Sequence, residues 1–196
     1  MRRTPPLAAL AAAAAVAGVR APALPARPGA PPPPRQGVSV NIEPTSGRTF
    51  YRRPGQARRA PLTTEIQVPV NTIIDATKGQ MGITSANGAA DFKDGAFVVR
   101  EPRTQRVTQL FLAGGHPERC KPGSTSVVRQ LWGSGKGRFQ TRGKYAAATV
   151  RGTTWRVQDR CDGTLTIVTQ GVVAVRDFRL RRTVLVRAGR RYLARR

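Results

Sequence analysis

Few residues in this chain could do covalent chemistry. Two cysteines, Cys120 and Cys161, a single histidine, His116, and ten acidic residues are the main candidates for nucleophile, metal ligand or general acid and base. Asp91 with Asp94, and Asp159 with Asp162, have a spacing at which a glycosidase-like carboxylate pair can be imagined. Asp94-Gly95 and Asp162-Gly163 are also turn dipeptides, and turn geometry accounts for these acids without catalysis. Gly133-Ser134-Gly135-Lys136-Gly137 has the composition of a phosphate loop but lacks the Gly-Lys-Ser/Thr ending and a following helix. It reads as a flexible turn before Phe139. His116 stands between Gly115 and Pro117 with no nucleophile beside it, and one histidine cannot complete the usual zinc ligand set. No catalytic residue, metal site or cofactor is expected. Trp132, Trp155, Phe139 and Tyr145 could stack on sugar rings, yet at strand positions such rings read as core, with Trp155 pointing inward beside Val157. A glycan hydrolase would require acids converging in a cleft with Trp132 or Trp155.

Charge is the stronger signal. Thirty-four Lys and Arg against ten Asp and Glu give a net charge of +24, a field that draws polyanions. Arg, Ala, Gly and Pro together are also what GC-rich codons favour, so codon bias with solubility explains the balance equally well. Basic clusters occur at 52–53, 58–59, 179–182 and 187–196. If one patch binds a polyanion, the candidates are Arg179, Arg181, Arg182, Arg190 and Arg191, which flank the last two expected strands as one exposed stripe. The other reading is that they guard edge strands against aggregation. Nucleic acid is an unlikely partner, because no helix-turn-helix, zinc-finger or aromatic RNA-binding pattern is present.

The elements that must carry these residues are strands. From 149 to 194 the chain is dense in Val, Ile, Thr, Trp and Tyr, in short runs cut by Asp162-Gly163, Gly171 and Gly189. In the first half, runs around Val40, Phe50, Val68, Ile73, Ile83 and Val98 are bounded by Gly, Pro or Asn87-Gly88. The expected fold is all-β: a sandwich-like or solenoid-like stack of short antiparallel strands, as two similar lobes or one continuous stack. The predicted organisation is a signal peptide over 1–23, a Pro-rich linker over 24–36, an N-terminal β-lobe over 37–113, a Gly/Pro-rich loop region over 114–137 with one strand near 126–131, and a C-terminal β-lobe over 138–196.

The Gly152-Thr153-Thr154-Trp155 strand, the Asp162-Gly163 turn, the Thr-rich strand after it, Gly171-Val172-Val173-Ala174-Val175 and Val186-Arg187-Ala188-Gly189 resemble the FecR-type extracytoplasmic β-domain. Residues 132–196 are similar to the C-terminal part, and 38–100 to the N-terminal part, of secreted Arg-rich FecR-like proteins of actinobacterial type. Asn71 stands where that family often has Gly. The resemblance implies an exported, non-catalytic module that binds a ligand or partner at the cell envelope. Signalling members pass an external signal to an anti-sigma segment inside, a segment not recognised in this sequence. The alternative is a basic exported protein that binds anionic polymers by charge alone.

Export is read directly from the N-terminus. Arg2 and Arg3 precede an apolar run over 7–19 and the small residues Ala21-Pro22-Ala23, the layout of a secretory signal cleaved after Ala23. The run is shorter than the about 20 apolar residues of a membrane-spanning helix, and no Cys follows it as a lipid anchor. The expected location is secreted or extracytoplasmic, associated with the envelope. In that compartment Cys120 and Cys161, without a Cys-x-x-Cys spacing, read as one disulfide.

Overall fold

Alternation of side chains decides the architecture, and the protein is all-β. A computed structural model describes residues 29–196, so the predicted signal over 1–23 lies outside the described residues, as does the first part of the linker over 24–36. Fifteen strands follow: β1 (Ser39–Arg52), β2 (Ala60–Pro61), β3 (Ile66–Pro69), β4 (Ile73–Ser85), β5 (Gly88–Lys93), β6 (Ala96–Arg100), β7 (Thr108–Ala113), β8 (Val127–Gly137), β9 (Phe139–Arg142), β10 (Ala146–Val150), β11 (Thr153–Arg160), β12 (Gly163–Gln170), β13 (Val172–Asp177), β14 (Arg182–Arg187) and β15 (Arg191–Arg195). A 3₁₀ turn, Pro117–Arg119, is the only helical piece among the described residues. β11 shows the governing pattern, with a buried residue at every second position along its length, the period of a strand with one face on a core.

β4 is the spine. β1, a single long strand where two short runs are expected from the sequence, follows one edge of β4 through bulges at 44–46 and 48–50. On the other edge β5 and β6 follow one another, Lys93 opposite Gln80 and Ala96 opposite Asp75. Asp94-Gly95, expected to be a hairpin turn, is therefore a bend inside one continuous partner of β4. Asp94 takes a left-handed φ of 65° there, its N–H donates to the Ala76 carbonyl, and the Gly95 carbonyl accepts from the Ala76 N–H. The other two Asx-Gly hairpins form as expected, with Ser85 opposite Gly88 and Arg160 opposite Gly163.

Beyond β5 and β6 the sheet divides into two arms, β8-β11-β12-β15 and β7-β9-β10-β13-β14. The arms curl toward each other into a nearly closed sheet. Every pairing is antiparallel except β7 with β9. The predicted segments do not build separate sheets: β5 from 37–113 pairs with β8 from 114–137, and β7 pairs with β9 from 138–196. The described end of the linker is tied down as well, since the Pro32 carbonyl accepts hydrogen bonds from Asn41 and Gln67.

The core lies between the arms. Phe92 on β5 sits 5.5 Å from Phe97, 5.6 Å from Phe139 and 6.0 Å from Trp155, the last two edge-on, the geometry aromatic quadrupoles prefer. Trp155, fully buried, donates its indole N–H to Thr141 Oγ1 across the core at 3.0 Å. Residues 133–137, read from sequence as a flexible turn, belong to β8. Gly133 is there for close approach: a Cβ on it would lie 2.6 Å from the Trp155 ring.

The Cys120–Cys161 disulfide spans a sequence separation of 41 and fastens the loop after β7 to the β11–β12 turn. Replacing both cysteines by Ser should lower the unfolding free energy by about 4 kcal/mol in the chain-entropy model, measured by urea denaturation; non-reduced peptide mapping should find the two residues linked. Gly133→Ala should cost about 1–3 kcal/mol by overpacking, and a variant as stable as the parent would contradict the fit of Trp155 against β8.

Candidate functional site

One region of the described surface combines charge, exposed apolar side chains and unpaired backbone at the ends of both arms. The sheet ends at β14 on one arm and β15 on the other, each hydrogen-bonded along one edge only, β14 to β13 and β15 to β12. The short turn over 188–190 joins them. It is anchored to β12 by bonds from the Gly189 N–H to the Val168 carbonyl and from the Val168 N–H to the Arg190 carbonyl. No ladder closes β14 onto β15. A groove of about 330 Å³ lies there, lined by Val184, Val186, Arg187, Arg190, Arg191 and Tyr192 among others.

The five arginines singled out from the sequence are all exposed on this rim, but not as one stripe. Arg179, Arg181 and Arg182 stand at the β13–β14 turn, with Asp177 opposite Arg182; Arg190 and Arg191 stand at the far end of the seam. The five-residue step from Arg182 to Arg187 at about 3.3 Å per residue separates the two groups by roughly 17 Å. Arg187 and Arg195, not selected from the sequence, fall on the same rim. Their signal was the strand period: Arg191, Leu193 and Arg195 alternate on one face of β15, Tyr192 and Ala194 on the other.

Two polar contacts cross the seam, one of them from Arg179 Nη1 at the β13–β14 turn to the Arg196 carbonyl just beyond β15 at 2.8 Å. Tyr192 Oη on β15 donates to Asp177 Oδ2 at the end of β13 at 2.8 Å, and the Leu180 N–H donates to Oδ1 at 2.9 Å. Burial pushes the Asp177 carboxyl upward, but the Leu180 and Arg179 N–H groups, Tyr192 and the charge of Arg182 outweigh it and hold the group below its ordinary value. The Tyr192 phenol is raised, by burial first and then by its bond to Asp177.

The other sequence candidates are occupied structurally. Asp159 is buried on β11 and accepts from Arg129 Nε at 2.8 Å, from the Lys144 N–H and from Thr164 Oγ1. Asp162 is gripped by Arg160 through Nε and Nη2 at 2.8 and 2.9 Å, and Asp94 pairs with Arg156 at 3.3 Å. His116 is exposed and meets Glu118 at 2.8 Å. A cleft of about 380 Å³ beside the disulfide contains Arg129, Lys144 and Asp159, but there the acid is already fully engaged. Phe139 and Trp155 are core; Trp132 and Tyr145 are half-buried, with Lys93 Nζ 4.5 Å above the Trp132 ring. Among the described residues no helix is long and apolar enough to cross a membrane. Compared with known proteins, the chain matches no family model, no curated sequence and no solved structure.

The Tyr192–Asp177 contact should set a pH signature. Because folding holds Asp177 low, its contribution is complete above the unfolded carboxylate value of about 3.9 and is lost as pH falls through the folded value. Tyr192 acts in the opposite sense: its contribution is present below about pH 10 and is lost as pH rises through its raised folded value. Tyr192→Phe should cost about 2 kcal/mol near neutrality and shrink both limbs of a plot of melting temperature against pH. An unchanged profile would refute the assignment.

Proposed function

We propose that the protein is an exported, non-catalytic, FecR-like β-module that binds an anionic partner at the cell envelope through the arginine-rich rim of β13, β14 and β15. The observation that carries this reading is the rim itself: Arg182, Arg187, Arg190, Arg191 and Arg195 are exposed around a groove whose nearest acid, Asp177, is buried and spent on Tyr192 and Leu180. The disulfide supports an oxidising compartment. Two features favour the FecR-like reading: Asn71 adopts a left-handed φ of 68° at the position where that family often has Gly, and the Gly171 break leads into a Val-Val-Ala-Val strand. Asn tolerates that conformation better than other non-glycine residues.

A purely electrostatic role is the second reading, favoured by the overall excess of charge. Salt separates the two. A partner held by six to ten ionic contacts alone loses about a thousandfold or more in affinity between 50 and 200 mM salt, as for proteins on DNA. Pull-downs of the exported chain against fractionated envelope and nucleic acid should retain one envelope component at high salt. Loss of every partner together would leave binding by charge alone.

A further inference from the structure

The seam has more structure than a basic patch requires. β14 and β15 are consecutive in the chain, yet they end the two arms of the sheet, and apart from the turn bond from the Arg190 N–H to the Arg187 carbonyl no ladder joins their facing edges. Unpaired edges present alternating N–H and C=O groups that template another strand. Natural sheets protect such edges; here four of the six large exposed hydrophobics, Val172, Phe178, Leu180 and Leu185, lie on the adjoining β13–β14 hairpin instead.

Resting on the reading that this rim takes an anionic partner, we propose that the partner enters as an extended peptide strand of about five or six residues, matching the lengths of β15 and β14, inserted between them. The two faces of the seam specify its sequence. Val184, Val186, Tyr192 and Ala194 are the buried or half-buried residues of β14 and β15 at inward positions, whereas Thr183, Leu185 and Arg187 alternate outward on β14 and Arg191 and Arg195 on β15. The inserted strand therefore presents apolar side chains to the inner face and acidic ones to the outer, at a period of two. Its backbone supplies the pairing that each edge lacks, as in other cases of strand addition. It enters from the Arg182 and Arg195 end, displacing the exposed Arg179 side chain from the Arg196 carbonyl, since the turn over 188–190 is pinned to β12 at the other. A second copy of this chain is a poor occupant: its β14 would bring Arg182 and Arg187 against arginines of the same rim, and like charges placed opposite one another are destabilising.

The test uses the full chain and a labelled eight-residue peptide of alternating Glu and Val, read by fluorescence anisotropy and by amide hydrogen exchange. The expected result is binding with new protection of amides in 183–187 and 191–195, weakened about tenfold or more when alternate peptide amides are N-methylated, as expected from losing one or two net hydrogen bonds. Arg187→Glu with Arg191→Glu, shown folded by circular dichroism, should also weaken it. Equal binding of the N-methylated peptide without new protection overturns strand insertion while leaving the anionic surface intact. Failure of both that peptide and polyglutamate to bind at low salt overturns the surface reading itself.

Discussion

The carboxylate of Asp159 is the point on which closure of the sheet depends. It sits on β11, in one arm, and accepts the backbone N–H of Lys144 with both oxygens, at 2.9 and 3.0 Å, from the β9–β10 turn of the other arm. Arg129 and Thr164 complete its shell. Tyr145 continues the link, its N–H donating to Thr164 Oγ1 and its carbonyl accepting from the Phe178 N–H at the end of β13. One buried acid thus gathers three strands of one arm around a turn of the other. A buried charge is tolerable only when paired and fully hydrogen-bonded, and here the chain itself provides every partner. Gly143 is part of the same arrangement, because a Cβ there would overlap Asp159 Oδ1.

That mode of closure explains why a seam exists. The arms meet through a turn and a few side chains and not through a backbone ladder, so their last strands are left with free edges. The aromatic cluster of Phe92, Phe97, Phe139 and Trp155 fills the space between the arms at the level of β5 and β9, while across the β13–β15 rim only the Tyr192–Asp177 and Arg179–Arg196 bonds reach over. Opening the seam gives up two side-chain hydrogen bonds and no backbone ladder, which locates an easy local deformation of the fold.

Much of the architecture is legible in the sequence because it is local. The strand periods, the Asn87-Gly88 and Asp162-Gly163 turns and the inward Trp155 all follow from neighbours within a few residues. Asp94-Gly95 misleads because its turn chemistry is real, but a strand already paired to β4 uses it to bend and not to reverse. The glycines at 133 and 135 mislead for the converse reason: glycine signals loops by default, and only the distant Trp155 and Ala90 reveal that they make room inside a strand. The parallel β7–β9 pairing and the role of Asp159 join residues far apart in the chain. Nothing in the spacing of Asp159 from Asp162 distinguishes the buried closure residue from an ordinary turn acid. The rim arginines are intermediate: their clustering is plain in sequence, their division between the two ends of β14 is not.

The charge balance acquires a different meaning once the acids are placed. Of the ten acidic residues, Glu101, Asp159 and Asp177 are buried, and Asp75, Asp94 and Asp162 are each paired with an arginine, at 2.9, 3.3 and 2.8 Å. Among the described residues only four arginine–carboxylate pairs form, so most of the thirty-four cations have no acid of this chain to face. Codon bias can set how many arginines there are, but it does not decide that β14 and β15 carry them at both ends of an unpaired edge. Self-repulsion in such a field favours separated charges and resists collapse of the seam. An external anion relieves that repulsion at the same place where an external backbone would complete the sheet. Electrostatics and hydrogen bonding therefore ask for the same occupant, and neither demand is met from within the described chain.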